Sequence, residues 1–213
     1  MQDVRRRRVI AALPTLALVL SGLGACHKTP VGVTSDDMSL GDPAAKVTVI
    51  EYASVACPVC GRWYTEVWPA FKARYIDTGR IHYIFREMLV GDSSEMSAAA
   101  AGFLLARCAG EDGYFKVIDA IFKNQQALFS DVNGTLGNIA KSIGLSDAAF
   151  NACITNDQAL LALNTRTEHA GEANKITGTP TFVINGAALP TGYQPLSALD
   201  DAIAAARARV SKR

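Results

Sequence analysis

Hydrophobic positions change their period several times along the chain, and each change marks an element. Residues 46–52 (KVTVIEY) are rich in β-branched and aromatic side chains, which predicts a buried strand. Val59, Trp63, Val67, Phe71 and Tyr75 then recur at the spacing of one helical face over about 57–77. Pro69 lies inside that run; it lacks an N–H and is expected to kink the helix, with Gly79 as the stop. Residues 81–88 (IHYIFREM) read as a second strand. From about 93 to 176 strand character nearly vanishes. Helices are predicted there over 94–109, 114–129, 135–143, 146–155 and 158–173, punctuated by Gly110, Gly113, Asn133-Gly134 and Gly144. A strand returns at 181–185, Asn185-Gly186 signals a tight hairpin, and a short strand is expected at 187–189. The last helix starts with Pro195 in its first turn. Leu196, Leu199, Ile203, Ala206 and Val210 form its apolar stripe, with Asp200 and Asp201 early and Arg207 and Arg209 late, as the helix dipole favours. The order is βαβ, a helical block, then ββα: an α/β fold with a helical insertion.

A chain of 213 residues, 49% of them hydrophobic and without internal repeats, fits one packed domain carrying an insertion. Its beginning has another character. Arg5, Arg6, Arg7 and Arg8 precede an apolar run over 9–20, followed by the small residues Ser21, Gly22, Gly24 and Ala25. That is the order of a secretory signal peptide. The run is shorter than the roughly 20 residues a spanning helix needs, and Pro14 interrupts it. The paired arginines suggest a twin-arginine export signal, but their flanks fit it poorly. Leu23-Gly24-Ala25-Cys26 resembles the lipobox of bacterial lipoproteins, which implies acylation of Cys26; the alternative is an ordinary signal peptide with an incidental Cys26. The expected organisation is a signal peptide over 1–25, a flexible polar tether over 26–38, and a folded domain over 39–213 with its insertion at about 93–176. Export would place the domain in the periplasm, held at the membrane surface by lipid on Cys26 or else soluble there. With the leader's arginines set aside the body is mildly acidic and offers no field for gathering phosphates, so no nucleic-acid partner is expected.

The five cysteines change the picture most. Export puts them where disulfides persist. Cys57 and Cys60 are three apart, in Cys57-Pro58-Val59-Cys60, at the junction between the first strand and the first helix. At a helix start, unpaired N–H groups and the dipole favour negative charge, so Cys57 is the candidate nucleophile, with a thiol pKa able to fall from about 8.5 to roughly 3.5–7.5. Cys60, one turn on, is the candidate resolving thiol. Stabilising the thiolate makes the disulfide easier to reduce and thus a better oxidant. The competing reading, half of a zinc site, needs two further ligands. His27, His82 and His169 lack paired ligand spacing, so no metal is expected. Trp63, Trp68, Phe103, Phe115, Phe122 and Phe129 read as core and, like His82 and His169, receive no functional role.

Four motifs in order carry a resemblance: SLGDPAAKVTVIEYASVACPVC, ARCAGEDGYFKVIDAIFKNQ, IAKSIGL with AAFNACI, and GTPTFVING. From Ser39 nearly to the last residue, the chain resembles the DsbA-like branch of the thioredoxin superfamily. The resemblance implies a thioredoxin fold with a mixed central sheet and an all-helical insertion. It implies that Thr179-Pro180 is the cis-proline dipeptide facing the cysteines, where the Thr179 backbone would pair with a substrate's extended chain. It places Glu51, six residues before Cys57, as a buried acid with a raised pKa that relays a proton to or from Cys60; a surface-facing glutamate is the alternative. Pro58 and Val59 offer no side-chain donor, so the thiolate should be stabilised less than in relatives with histidine in that gap. Cys108 and Cys153 are implied to form a second, structural disulfide inside the insertion.

The expected activity is that of a dithiol oxidase, with no cofactor beyond the cysteine pair, acting as a monomer on exported proteins and reoxidised by a membrane partner. Two readings stand against it. One is an isomerase or reductase kept reduced by a membrane donor, although residues 27–37 are too short for the dimerisation domain that isomerases of this superfamily usually add. The other is a non-enzymatic lipoprotein holding a metal between Cys57 and Cys60.

Overall fold

The computed structural model describes residues 32–212. The leader-like stretch and Cys26 lie outside the described residues. Among those described, five strands make one sheet: β1 Met38–Gly41, β2 Thr48–Ala53, β3 His82–Glu87, β4 Thr181–Ile184 and β5 Ala187–Ala188, in the order β1-β3-β2-β4-β5. β2 and β3 are parallel and the other pairings antiparallel, so the sheet is mixed. β1 is an addition to the sequence reading, because MSLG is too short to show alternation; it adds to the free edge of β3, Met38 opposite Phe85. The hairpin between β4 and β5 turns on Asn185 and Gly186, both at positive φ (46° and 83°), the backbone that an Asn-Gly pair tolerates best.

The helices are α1 Pro58–Glu66, α2 Trp68–Phe71, α3 Ser93–Cys108, α4 Gly110–Lys123, α5 Gln125–Ser130, α6 Val132–Ser142, α7 Asp147–Ile154, α8 Asp157–Asn174 and α9 Leu196–Val210, with a π-helical turn at Lys72–Ile76. Several depart from the sequence expectation. The helix expected over 57–77 breaks at Val67, two residues before Pro69, because the missing N–H is harmless only in a first turn; Pro69 accordingly sits at the start of α2. The single helix expected over 114–129 is two, parted at Asn124. Gly113 and Asn133-Gly134 lie inside helices rather than between them, the latter because the Asp131 side chain caps α6 by accepting from the Gly134 N–H at 2.9 Å. Pro195 is the N-cap of α9 and not its first residue. Phe129 is not core: it is 43% exposed on α5.

Strand alternation sorts the core into two faces. Val49, Ala53, Tyr83, Phe85, Phe182 and Ile184 join the larger cluster with Trp63 and Phe71, the insertion's Phe103 and Ile121, and Leu199 and Ile203 of α9. Ile50, Tyr52, Ile84 and Val183 face the other way, against Met88 and Ala170 of α8. The sheet and insertion are also tied by charge. Glu87 of β3, buried, accepts from Arg107 of α3 at 2.7 Å, from Arg166 of α8 at 3.3 Å and from the Tyr114 hydroxyl of α4 at 3.0 Å. Arg86 pairs with Asp37 at 2.8 and 2.9 Å and donates to the Gly32 carbonyl, so residues 32 and 37 of the stretch expected as a tether lie on the domain. Buried pairs of this kind largely offset their own desolvation rather than adding much stability. Cys108, the last residue of α3, is disulfide-bonded to Cys153 of α7 with Cα atoms 6.0 Å apart, the usual span for such a bridge.

Candidate active site

β2 ends at Ala53, and residues 54–57 turn the chain into α1. Ser54 organises the turn: its carbonyl accepts from the Cys57 N–H at 3.1 Å and its hydroxyl from the Ala56 N–H at 3.3 Å. Cys57 is therefore the N-cap of α1, in extended conformation (φ −84°, ψ 119°), with Pro58 at the first position, where a proline loses nothing. The Cys57 sulfur accepts the Cys60 backbone N–H at 3.4 Å. It plays the part that a serine or aspartate oxygen plays at other helix starts.

The two thiols, both free, live in different surroundings. Cys57 is half-buried, directly before the exposed Pro58 and Val59; Cys60 is fully buried. The hydrogen bond from the Cys60 side chain, with smaller help from the Cys60 and Val59 backbone N–H groups, brings the Cys57 thiol down to about 6, against the opposing effect of burial. Two groups of Thr179 also meet this sulfur. Its carbonyl, 3.6 Å away, can take the S–H, while its side chain steadies the thiolate. Burial and the Cys57 neighbour push the Cys60 thiol far up, so at neutral pH it keeps its proton. The Thr179-Pro180 peptide bond is cis, and Pro180 is buried directly before β4.

Glu51 lies on β2 beneath the pair with no exposed surface, on the same sheet face as Tyr83 of β3. The Tyr83 hydroxyl donates to its Oε2, while Oε1 has no hydrogen-bond partner among the described residues. Burial pushes the carboxyl up to about 8, the Tyr83 bond pulling down and the Cys57 charge pushing up further. At neutral pH Glu51 is thus mostly protonated beneath the cysteine pair.

Every residue the sequence singled out in the folded domain is accounted for: Cys57, Pro58, Val59, Cys60, Thr179, Pro180 and Glu51 converge on one end of the sheet, and Cys108 and Cys153 lie apart in the insertion. Two residues at the site were not singled out. Tyr83 is separated from Glu51 by 32 positions. Gln125 reaches the 55–57 loop from 70 and 68 positions away, and its only sequence signal is that it closes the second of the four motifs. Among the described residues there is no group of three or more His, Cys, Asp or Glu side chains that could hold a metal, and no helix long and apolar enough to cross a membrane.

A family model described as thioredoxin matches residues 33–204. A Rickettsia conorii protein named as a protein-disulfide oxidoreductase is 31% identical over 179 residues, 83% of this chain and 62% of that protein. Its counterpart in Rickettsia typhi is 32% identical over 162 residues, 75% of this chain and 58% of that protein. The chain thus spans about three fifths of the length of these curated relatives. Of the solved structures, alpha-DsbA1 of Wolbachia pipientis superposes with a TM-score of 0.75 at 27% identity, covering 86% of this chain and 98% of that one. DsbA of Chlamydia trachomatis shares the fold at 16% identity and a TM-score of 0.65, over 83% of this chain and 94% of its own.

Proposed function

Because the chain belongs to the DsbA-like branch of the thioredoxin superfamily, we propose that it is a thiol–disulfide oxidoreductase working as a dithiol oxidase on exported proteins. The observation that carries this reading is the asymmetry of the pair: one half-exposed sulfur with its thiol near 6, and one buried sulfur whose thiol is pushed far up. In the oxidised enzyme a substrate thiolate attacks the Cys57 sulfur, the Cys57–Cys60 bond breaks, and Cys60 departs as a thiolate that takes a proton from Glu51. A second substrate thiolate then attacks the substrate sulfur of the mixed disulfide and expels the Cys57 thiolate, a good leaving group because it is stable near neutrality. The substrate leaves with a disulfide, and the enzyme holds a Cys57 thiolate and a Cys60 thiol. Reoxidation reverses these steps against the disulfide of a membrane partner, with Glu51 taking the Cys60 proton back.

Thr179 fits the substrate's main chain: its backbone stands beside the reacting sulfur at the start of an antiparallel strand, where an extended segment can pair. Exposed Pro58 and Val59 would bear on the same segment. The leader-like N-terminus supports export to the periplasm, with Cys26 as the lipid-bearing residue; a Cys26→Ser chain that loses lipid label and membrane association would agree. Cys108–Cys153 serves as a staple of the insertion and takes no part in exchange.

The direction of electron flow is tested by the reduction potential of Cys57–Cys60 against glutathione, together with thiol trapping in cells. An oxidase has a pair trapped oxidised and a potential well above thioredoxin's, which is about −270 mV. A pair found reduced in cells overturns the oxidase in favour of a reductase or isomerase.

A further inference from the structure

Gln125 belongs to the helical insertion, yet its side chain ends on the loop that presents the cysteines. Its Nε2 donates to the Val55 carbonyl at 2.8 Å and to the Cys57 carbonyl at 3.0 Å. One amide nitrogen has two N–H bonds, and here both are spent on carbonyls two residues apart, which fixes their spacing and direction. The Cys57 carbonyl also accepts the Gly61 N–H at 3.0 Å, the first rung of α1. Gly61 is shaped to this arrangement: a Cβ there would stand 2.2 Å from Gln125 Oε1, so any other residue would push the amide away. Gln125 arrives at this spot because α4 stops at Lys123, Asn124 turns the chain (φ −111°, ψ 19°), and α5 starts afresh with Gln125, anchored by the buried Leu128.

We propose that Gln125 is a positioning residue for the cysteine pair: through its amide the helical insertion holds the 55–57 carbonyls, and with them the N-cap conformation that aims the Cys60 N–H at the Cys57 sulfur. The inference rests on the proposed function only in taking Cys57 as the reacting sulfur. A backbone free to turn at Cys57 swings that sulfur away from the amide that favours its ionised form, and reactivity falls although no group touching the substrate has changed. The insertion would then set the redox strength of the thioredoxin-like part as well as walling it. The titratable groups that bear on Cys57 are Cys60 and Glu51, and a neutral replacement of Gln125 alters the charge of neither.

Gln125→Met keeps the length and bulk of the side chain and removes both donors. In the full chain, thiolate absorbance is followed against pH, and the reduction potential of the pair is measured against glutathione. The expected result is an upward move of the Cys57 midpoint that lowers the thiolate fraction at pH 6 by about threefold, the loss expected for one charge-favouring contact, with a potential shifted toward thioredoxin's. Gly61→Ala, which displaces the same amide from the other side, should move both readings in the same direction, and the double variant should add little. This second route keeps the test open if Gln125→Met does not fold. A midpoint and potential unchanged from wild type, even with a lowered melting temperature, would overturn the inference and leave the function standing. A wild-type chain whose Cys57 titrates near 8.5 and exchanges with no model disulfide would overturn both.

Discussion

Cys57 and Cys60 stand three residues apart as free thiols, whereas Cys108 and Cys153 are separated by 45 residues and are bonded to each other. The chemical groups are identical, and helix polarity tells them apart. Cys57 caps the N-terminus of α1, where an N–H points at its sulfur. Cys108 is the last residue of α3, and Cys153 lies next to the last residue of α7. At those C-terminal ends the negative end of the helix dipole disfavours an anion. A sulfur that is stable as an anion leaves readily; one that is not makes a durable bridge. One pair is therefore suited to exchange and the other to permanence, and the cysteine count alone does not reveal which is which.

The largest effect expected from breaking this contrast is at Cys57. Cys57→Ser should reduce turnover to background, while Cys60→Ser should accumulate mixed disulfides with substrates on a non-reducing gel, because the resolving sulfur is gone. Persistent turnover in Cys60→Ser without any trapped adduct would reverse the assignment of the two roles. Next comes the other pair. Cys108→Ala with Cys153→Ala reopens a loop set by the separation of 45 residues, for which chain entropy predicts a loss of about 4 kcal/mol in denaturant unfolding. The Cys57–Cys60 potential should not move; a change there would mean that the staple also tunes the site.

Glu51 sharpens the comparison from beneath the reactive pair. Its carboxyl titrates at about 8 in the fold against an ordinary 4.5. A group raised in this way gives its full stability below pH 4.5 and loses it as pH climbs toward 8. Glu51→Gln removes that loss, so the variant should be more stable than wild type at pH 7, by up to roughly 3 kcal/mol less the cost of an amide unpaired beside Oε1's place, and nearly equal to it at pH 4. The same variant should resolve mixed disulfides more slowly, since Cys60 loses its proton partner. Equal melting at both pH values would show that Glu51 is not buried as an acid. The smallest effect lies in the insertion. Asp92 and Glu95 form a reciprocal cap at the start of α3, the helix that ends at Cys108. Asp92→Ala should cost about 1 kcal/mol in thermal unfolding and leave exchange rates alone. A slowed exchange would mean that α3 reaches the active site through more than packing.

Much of the reactive region could be read from the chain because its parts are local. The β-branched run before Cys57, the apolar face after it, the Asn185-Gly186 turn and the last helix each announce themselves within one window, and each falls within two or three residues of its predicted place. Where the reading slipped, apolar spacing alone carried too little information about where helices break and which edges pair. Pro69 starts a helix instead of kinking one, Asn124 divides a run whose apolar spacing is continuous, and β1 exists because β3 has an edge to offer.

The sequence by itself determined the strand–helix junction that makes Cys57 an N-cap, since a helix start and a cysteine before a proline are properties of adjacent residues. Only the tertiary structure decided what surrounds that sulfur: Tyr83 against Glu51, Thr179 across from Cys57, and Gln125 on the loop carbonyls. Those partners meet across 32, 122 and 68 positions, and hydrogen bonding at such separations leaves no period in the sequence. They form because packing the sheet against the insertion leaves buried polar groups that must find each other once water is gone.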